Sequence, residues 1–170
     1  MNFPLKRAMA LLLAGAASGA QAQSLEVDLG IPRLQVAEYH RPYVALWLAR
    51  PDNSVAAHLA VLYDVDMEND EGEKWLKDLR QWWRRGGRTL DMPVDGVSAA
   101  TRGPGSHQLA FADTLADLPP GDYRLLVEAA REVGGREMLE IPFSWPVAEP
   151  VTATAAGASE LGTVTISLKP

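Results

Sequence analysis

The segment DGVSAAT at positions 95–101 places two hydroxyl groups among small residues, and the turn sequence RGPG follows it directly. A threonine or serine hydroxyl is a weak nucleophile, which accepts a phosphoryl group when a bound enzyme supplies a base and a metal ion. This chemistry needs a segment that is exposed and pliant enough to enter another active site. Asp95 and Ser98 would offer polar contacts for recognition. The alternative is an ordinary surface turn, because small residues and glycine also favour turns.

A tryptophan-rich segment leads into this stretch. The apolar residues of 73–85 recur at helical spacing and basic residues fill the other positions, which predicts one amphipathic helix that ends at Gly86 and Gly87. An aromatic stripe of this kind usually packs into the core. The rings of Trp82 and Trp83 could instead form a wall on which a planar ligand stacks. The basic face is typical of a solvated surface, or of one that holds a phosphate or an acidic partner.

Other kinds of chemistry find little support in the residues. Without cysteine, thiolate metal sites, thiol redox chemistry and cysteine nucleophiles are excluded. The three histidines, His40, His58 and His107, lie far apart, so we predict neither a zinc site nor a catalytic triad. The acidic run at 64–73 lacks the glycine and glutamate positions of a calcium loop, and we expect a solvated loop there. The sequence therefore predicts no catalytic residue and no metal site.

The N-terminal residues predict export. Lys6 and Arg7 precede an apolar run, and Ala20 and Ala22 form the small-x-small pattern at which a secretory signal is cleaved. The run is far shorter than the roughly 20 residues that span a bilayer. We therefore expect a signal peptide at 1–22, cleaved after Ala22, and no membrane insertion.

The remaining residues, 23–170, are expected to form a single domain. The full chain has a formal charge of −6, and removing Lys6 and Arg7 with the signal peptide leaves −8. This acidic balance argues against nucleic acid as a partner. An exported chain without cysteine must be held together by burial alone, and this length is sufficient for a core.

Short apolar stretches separated by turn residues predict a mainly β fold. The stretches 43–50 and 55–64 flank a PDN turn and are expected to form a hairpin. The stretches 123–133 and 138–145 flank a Gly-Gly turn and are expected to form another. Strands at this spacing predict an antiparallel β-sandwich of immunoglobulin-like type, with the amphipathic helix at about 73–85 inserted in it.

The order of residues in DGVSAAT resembles the flavinylation motif Asp–Gly–x–Ser/Thr–Gly–Ala–Thr of FMN-binding domains in bacterial membrane redox complexes. In those proteins a flavin transferase takes FMN from FAD and esterifies its phosphate to the last threonine. The resemblance thus implies that Thr101 is the attachment residue. Ala99 replaces the glycine of the motif, and if that position needs a positive φ, alanine would strain it by roughly 1 kcal/mol. The residues that match the motif are Asp95, Gly96, Ser98, Ala100 and Thr101.

Nearly all of the exported chain also resembles the predicted periplasmic domain-of-unknown-function family numbered 2271. The stretches that carry this resemblance lie at 33–48, 75–88, 95–105, 119–137 and 160–170. Such proteins are similar to immunoglobulin-like domains and tend to accompany PepSY-type membrane proteins and flavin transferases. The resemblance implies a periplasmic location, these two kinds of partner, and electron transfer outside the cytosol.

Together these features predict a periplasmic electron-transfer protein that carries FMN covalently on Thr101. Such a protein is a redox carrier rather than a self-standing enzyme, because the flavin supplies the chemistry and the chain supplies its placement. The alternative is a cofactor-free, immunoglobulin-like binding module that docks partners through the tryptophan-rich segment. Colour separates the two, since a flavin makes the purified protein yellow.

Overall fold

Strands make up most of the regular structure in residues 23–112 and 115–170, which are the residues that the computed structural model describes. The signal peptide predicted at 1–22 lies outside them. The described residues contain nine strands, which are β1 (Ser24–Ile31), β2 (Tyr43–Ala49), β3 (Val55–Tyr63), β4 (Ser98–Ala100), β5 (Gly105–Ala110), β6 (Gly121–Ala130), β7 (Arg136–Trp145), β8 (Val151–Ala156) and β9 (Thr163–Lys169).

The strands form two sheets. The first has the order β5-β1-β9-β8 and is antiparallel throughout. The second has the order β4-β3-β2-β6-β7, in which the short edge strand β4 runs parallel to β3 and the other pairs are antiparallel. Both predicted hairpins, β2 with β3 and β6 with β7, are confirmed.

Apolar residues of the two sheets meet in one core. Leu25, Val27 and Leu29 alternate along β1 and pack with residues of the second sheet such as Val44 and Leu125. Strand β2 is buried along its whole length, because its other face is covered by the helical region that follows β3. The predicted mainly β, two-sheet sandwich is therefore confirmed.

The helical region differs from the single amphipathic helix predicted at 73–85. It consists of a 3₁₀ helix (Glu68–Asp78) that is kinked at Asn69 and Asp70, where φ is positive, an α-helix of only six residues, α1 (Arg80–Arg85), and a short 3₁₀ turn (Gly87–Thr89). The helical path breaks at Leu79, whose φ of −75° and ψ of 69° are not helical. The break lets Leu76, Leu79 and Trp82 all reach the same buried cluster.

A buried carboxylate explains the position of this break. Glu128 on β6 is fully buried and accepts hydrogen bonds from the backbone N–H groups of Gln81 (3.1 and 3.0 Å) and Trp82 (2.9 Å). These donors lie in the first turn of α1, where backbone N–H groups lack partners within the helix. The sheet therefore fixes where α1 begins, through a contact between residues more than forty positions apart that helical spacing cannot reveal.

Candidate functional site

The segment 95–101 runs from an exposed turn into the edge of the second sheet. Asp95 and Gly96 are exposed, and Gly96 has a φ of +71°. Among the described residues, no atom lies within 4 Å of the place where a Cβ would stand at Gly96. Glycine is needed there for the backbone conformation rather than for space.

The second half of the segment is not the exposed, pliant loop that the sequence predicts. Ser98 to Ala100 form β4, and Ser98, Ala99 and Ala100 pair with Val61, Leu62 and Tyr63 of β3. Ala99 therefore has the negative φ of a strand, and alanine causes no left-handed strain at the position where the motif has glycine. The Ser98 hydroxyl oxygen accepts a hydrogen bond from the Val94 N–H at 2.9 Å, which closes the preceding turn.

Thr101 follows β4 directly and is 7% exposed. Its backbone N–H donates to the Tyr63 carbonyl at 3.2 Å, which extends the pairing with β3 by one residue. Its hydroxyl donates to Oδ1 of Asp64 at 3.1 Å. A threonine hydroxyl thus lies against a carboxylate that can accept its proton.

Thr101 and Asp64 line one side of a cavity of about 960 Å³. Four arginines and three acidic residues contribute to its walls, together with aromatic side chains. The volume falls within the range of about 300–1,000 Å³ that is typical of small-molecule sites. The charged and aromatic lining residues are Arg41, Arg80, Arg131, Arg136, Asp64, Asp78, Glu132, Tyr39, Tyr43 and Trp75.

Trp75 is the tryptophan that faces this cavity, and it is 50% exposed. It belongs to the 3₁₀ helix Glu68–Asp78, which packs closely on the end of β3 at Gly72. A Cβ on Gly72 would stand 2.1 Å from the Asp64 carbonyl oxygen, so only glycine permits this approach. The Tyr43 hydroxyl donates to the Gly72 carbonyl at 3.2 Å, and burial raises the pKa of Tyr43 to about 12.

A buried ion pair holds the opposite wall. The Arg131 side chain, 6% exposed, donates from Nε and Nη2 to the two carboxylate oxygens of Glu160 at 2.8 and 3.1 Å. The Gly135 N–H also donates to Glu160, at 2.8 Å. These hydrogen bonds to the carboxylate raise the pKa of Arg131. In the described residues, Nη1 of Arg131 and the hydroxyl of Tyr39 are buried without a hydrogen-bond partner.

The two tryptophans predicted as a stacking wall lie elsewhere. Trp82 is fully buried, and its Nε1–H donates to Nδ1 of His58 at 3.1 Å. Trp83 is half-buried and packs against the same cluster. Neither residue lines the cavity around Thr101, so the stacking role of Trp82 and Trp83 gains no support from this cavity and stays a prediction. The ring of Trp82 is enclosed by the protein, and Trp75 is the tryptophan that lines the cavity.

The sequence profile of a family described as predicted periplasmic proteins, DUF2271, matches residues 24–163. The chain belongs to this family. No curated protein gives a significant match. No solved structure gives one either. The predicted periplasmic location is confirmed by the family, and in residues 23–112 and 115–170 no helix is both long and apolar enough to cross a membrane. The cleavage site after Ala22 stays a prediction.

In this DUF2271 protein, the sequence singles out Thr101 but not Asp64, Trp75 or Arg131, which line the same cavity. Helical spacing placed Trp75 on the buried face, because the break at Leu79 was not foreseen. Asp64 was assigned to a solvated loop, and Arg131 to a hairpin end. The available signal for Asp64 was its position directly after a buried strand, where polar side chains of adjacent strands can meet.

Proposed function

We propose that this DUF2271 protein carries FMN, esterified through its phosphate to Thr101, and relays electrons in the periplasm. A flavin transferase and a PepSY-type membrane redox protein are its proposed partners. The observation that carries the proposal is that Thr101 lines the 960 Å³ cavity, with its hydroxyl 3.1 Å from the Asp64 carboxylate. The motif in the sequence and the cavity in the fold thus coincide at one residue.

The attachment step transfers FMN from FAD to the Thr101 hydroxyl. Thr101 Oγ1 forms a bond to the FMN phosphorus of FAD, which the transferase supplies, while the bond from that phosphorus to the AMP half breaks and AMP leaves. The base that the transferase supplies accepts the hydroxyl proton, which then passes to AMP or solvent. When bound, the flavin supplies one- or two-electron transfer at its ring.

The residues around Thr101 suit a phosphodiester and an aromatic ring. Arg41 lines the cavity, and its Nε lies 3.9 Å from where a Cβ would stand at Gly103, two residues beyond Thr101. A guanidinium near the attachment point favours a phosphate anion. The Tyr39 hydroxyl and Arg131 Nη1, which have no hydrogen-bond partner in the part of the chain that the structure describes, are available as donors for polar atoms of a ligand.

One observation favours the cofactor-free binding module as a second candidate. Thr101 is 7% exposed and its N–H is bonded to Tyr63, so a transferase reaches the hydroxyl only if β4 and the following residues move outward. Strand β4 has three residues and lies at the edge of its sheet, where such opening costs least. A chain that never opens there would remain colourless and act through its surface alone.

The test is intact mass after co-expression with a flavin transferase. The wild-type protein should gain the mass of one FMN less one water and become yellow. Thr101→Ala should remain unmodified, because the acceptor oxygen is gone. Thr101→Ser is the matched control and should still be modified, since it keeps the hydroxyl. An unmodified wild-type protein, or a modified Thr101→Ala variant, would reject attachment at Thr101.

A further inference from the structure

Trp75 is an aromatic side chain that the fold leaves half exposed beside a cavity. Its ring is not part of the buried cluster that holds Leu76, Leu79 and Trp82, although it belongs to the same helical region. Met67 and Val133, also exposed, line the cavity with it. Exposed apolar side chains that cluster on one concave surface indicate a binding site, whereas apolar side chains scattered singly over a surface do not.

Buried donors in two side chains that line the cavity give a second, independent observation. Nη1 of Arg131 and the Tyr39 hydroxyl are buried and lack hydrogen-bond partners among the described residues, while both side chains line the cavity. Leaving a buried donor unpaired is costly, so such donors are normally satisfied by another group. The Arg131 side chain is 6% exposed and held by Glu160, which fixes the direction of its remaining donor.

The frame around these donors is rigid. A Cβ on Gly134 would stand 2.4 Å from Cζ of Arg131, and one on Gly135 would stand 2.8 Å from Oε1 of Glu160. The hairpin turn between β6 and β7 is thus wrapped closely around the ion pair. On the other side, Gly72 and the Tyr43 hydroxyl hold the 3₁₀ helix that carries Trp75. Rigid support of this kind lets a site bind without a large ordering cost.

We propose that Trp75, Tyr39 and Arg131 form the seat of the flavin ring, with Trp75 offering a stacking face and the other two donating to polar ring atoms. This inference rests on the proposed attachment at Thr101, whose hydroxyl lines the same cavity. Aromatic rings prefer offset stacking or edge contacts, and a planar ring with carbonyl and ring-nitrogen acceptors matches both features of the wall. The ring is therefore shielded from solvent rather than held outside on a flexible tether.

Flavin fluorescence tests the seat, because tryptophan stacked on a flavin quenches its emission. In the co-expressed protein, Trp75→Leu should keep the mass of one FMN but raise the fluorescence per FMN several-fold. Trp83→Leu is the matched control, since Trp83 lies outside the cavity, and it should emit like the wild type. Full modification with equal fluorescence in all three proteins would overturn the seat while leaving attachment at Thr101 intact.

A second experiment tests the proposed site for the flavin ring independently of covalent attachment at Thr101. Free riboflavin, which has no phosphate, should bind the unmodified protein and quench its tryptophan emission, and Trp75→Leu should abolish this quenching. Tyr39→Phe, which removes one oxygen, should weaken riboflavin binding by about two- to tenfold. Riboflavin binding without any covalent modification would support the seat and reject attachment. Absence of both modification and riboflavin binding would reject both proposals.

Discussion

At the scale of single residues, the position of Thr101 depends on contacts that lie outside its motif. Strand pairing with Tyr63 and the carboxylate of Asp64 hold the hydroxyl against the cavity wall. The motif residues themselves shape the approach to it, since Gly96 supplies the positive φ of the turn and Ser98 closes that turn. The segment thus combines a recognisable sequence with a buried hydroxyl that is held in one orientation.

The motif has glycine where this chain has Ala99, which suggests that Ala99→Gly would raise flavin attachment. The strand conformation at Ala99 predicts the opposite. Ala99→Gly should not increase flavin attachment, because Ala99 already has strand geometry opposite Leu62. It should instead lower the free energy of unfolding by roughly 0.5–1 kcal/mol, since glycine loses more backbone entropy in a strand. Urea denaturation and intact mass measure the two effects. A rise in the final extent of labelling would mean that residue 99 limits attachment through the opened form of β4, and not through strain in the paired strand.

The ion pair between Arg131 and Glu160 predicts that replacing one carboxylate oxygen with an amide nitrogen strongly lowers the free energy of unfolding. Glu160→Gln should cost about 3–5 kcal/mol of unfolding free energy, because it leaves the buried Arg131 cation without a counter-charge. Glu140→Gln is the control, since Glu140 pairs with Arg124 at the surface and should cost below about 1 kcal/mol. Equal midpoints of chemical denaturation for the two variants would contradict the structural role of the buried pair.

At the scale of elements, the helical region shows why a correct pattern can produce a wrong element. Leu76, Leu79 and Trp82 are buried, as helical spacing predicts. They are buried from a 3₁₀ helix and a six-residue α-helix, however, because Glu128 of β6 fixes the start of α1. Spacing identifies which residues face the core, whereas a long-range hydrogen bond decides the backbone path between them.

Burial of Leu79 at the break between the two helices predicts that a charge there is not tolerated. Leu79→Asp should lower the unfolding free energy by roughly 3 kcal/mol or more, because the carboxylate would be desolvated without a partner. Lys77→Asp, two residues away and exposed, should change stability little. Thermal unfolding followed by circular dichroism compares the two. A stable Leu79→Asp protein would show that this region packs loosely on the sheet.

The strands could be predicted from the sequence more completely than the site could. Alternation in β1, the hairpin turns and the continuous apolar run of β2 are local signals, and each of them held in the fold. The cavity is built from residues far apart in the chain, among them Thr101, Trp75 and Arg131. Their meeting depends on the parallel pairing of β4 and on the helix break, neither of which has a local signature.

At the scale of the whole molecule, the cavity that Thr101 lines lies on the side of the second sheet that faces away from the core between the sheets. The chain has a formal charge of −6, yet four of its arginines line one cavity. The core between the sheets does not form this cavity; it supports the strands from which the lining residues extend. A redox group held there would be carried on a rigid scaffold and would remain close to the protein surface.

The half-buried histidine beneath the helical region, His58, predicts how the stability of the whole fold depends on pH. Burial lowers the pKa of His58 below its usual 6.5, and its neutral Nδ1 accepts the hydrogen bond of Trp82. Well above pH 6.5 the histidine is neutral in both folded and unfolded chains. Below that value the unfolded chain binds the proton first, so the unfolding free energy should fall as the pH decreases toward about 5.

Urea denaturation across this pH range, with His58→Gln as the variant, measures that dependence. Glutamine keeps a polar side chain that can accept from Trp82 Nε1 but does not titrate, so its unfolding free energy should be flatter with pH. The carboxyl groups of Glu71 and Glu137, whose pKa values are lowered, affect stability only further down, as the pH approaches and passes below their usual 4.5. If the unfolding free energy depends on pH equally in the wild type and in His58→Gln, another group causes the dependence. The contact of His58 with Trp82 would then have no role in acid stability.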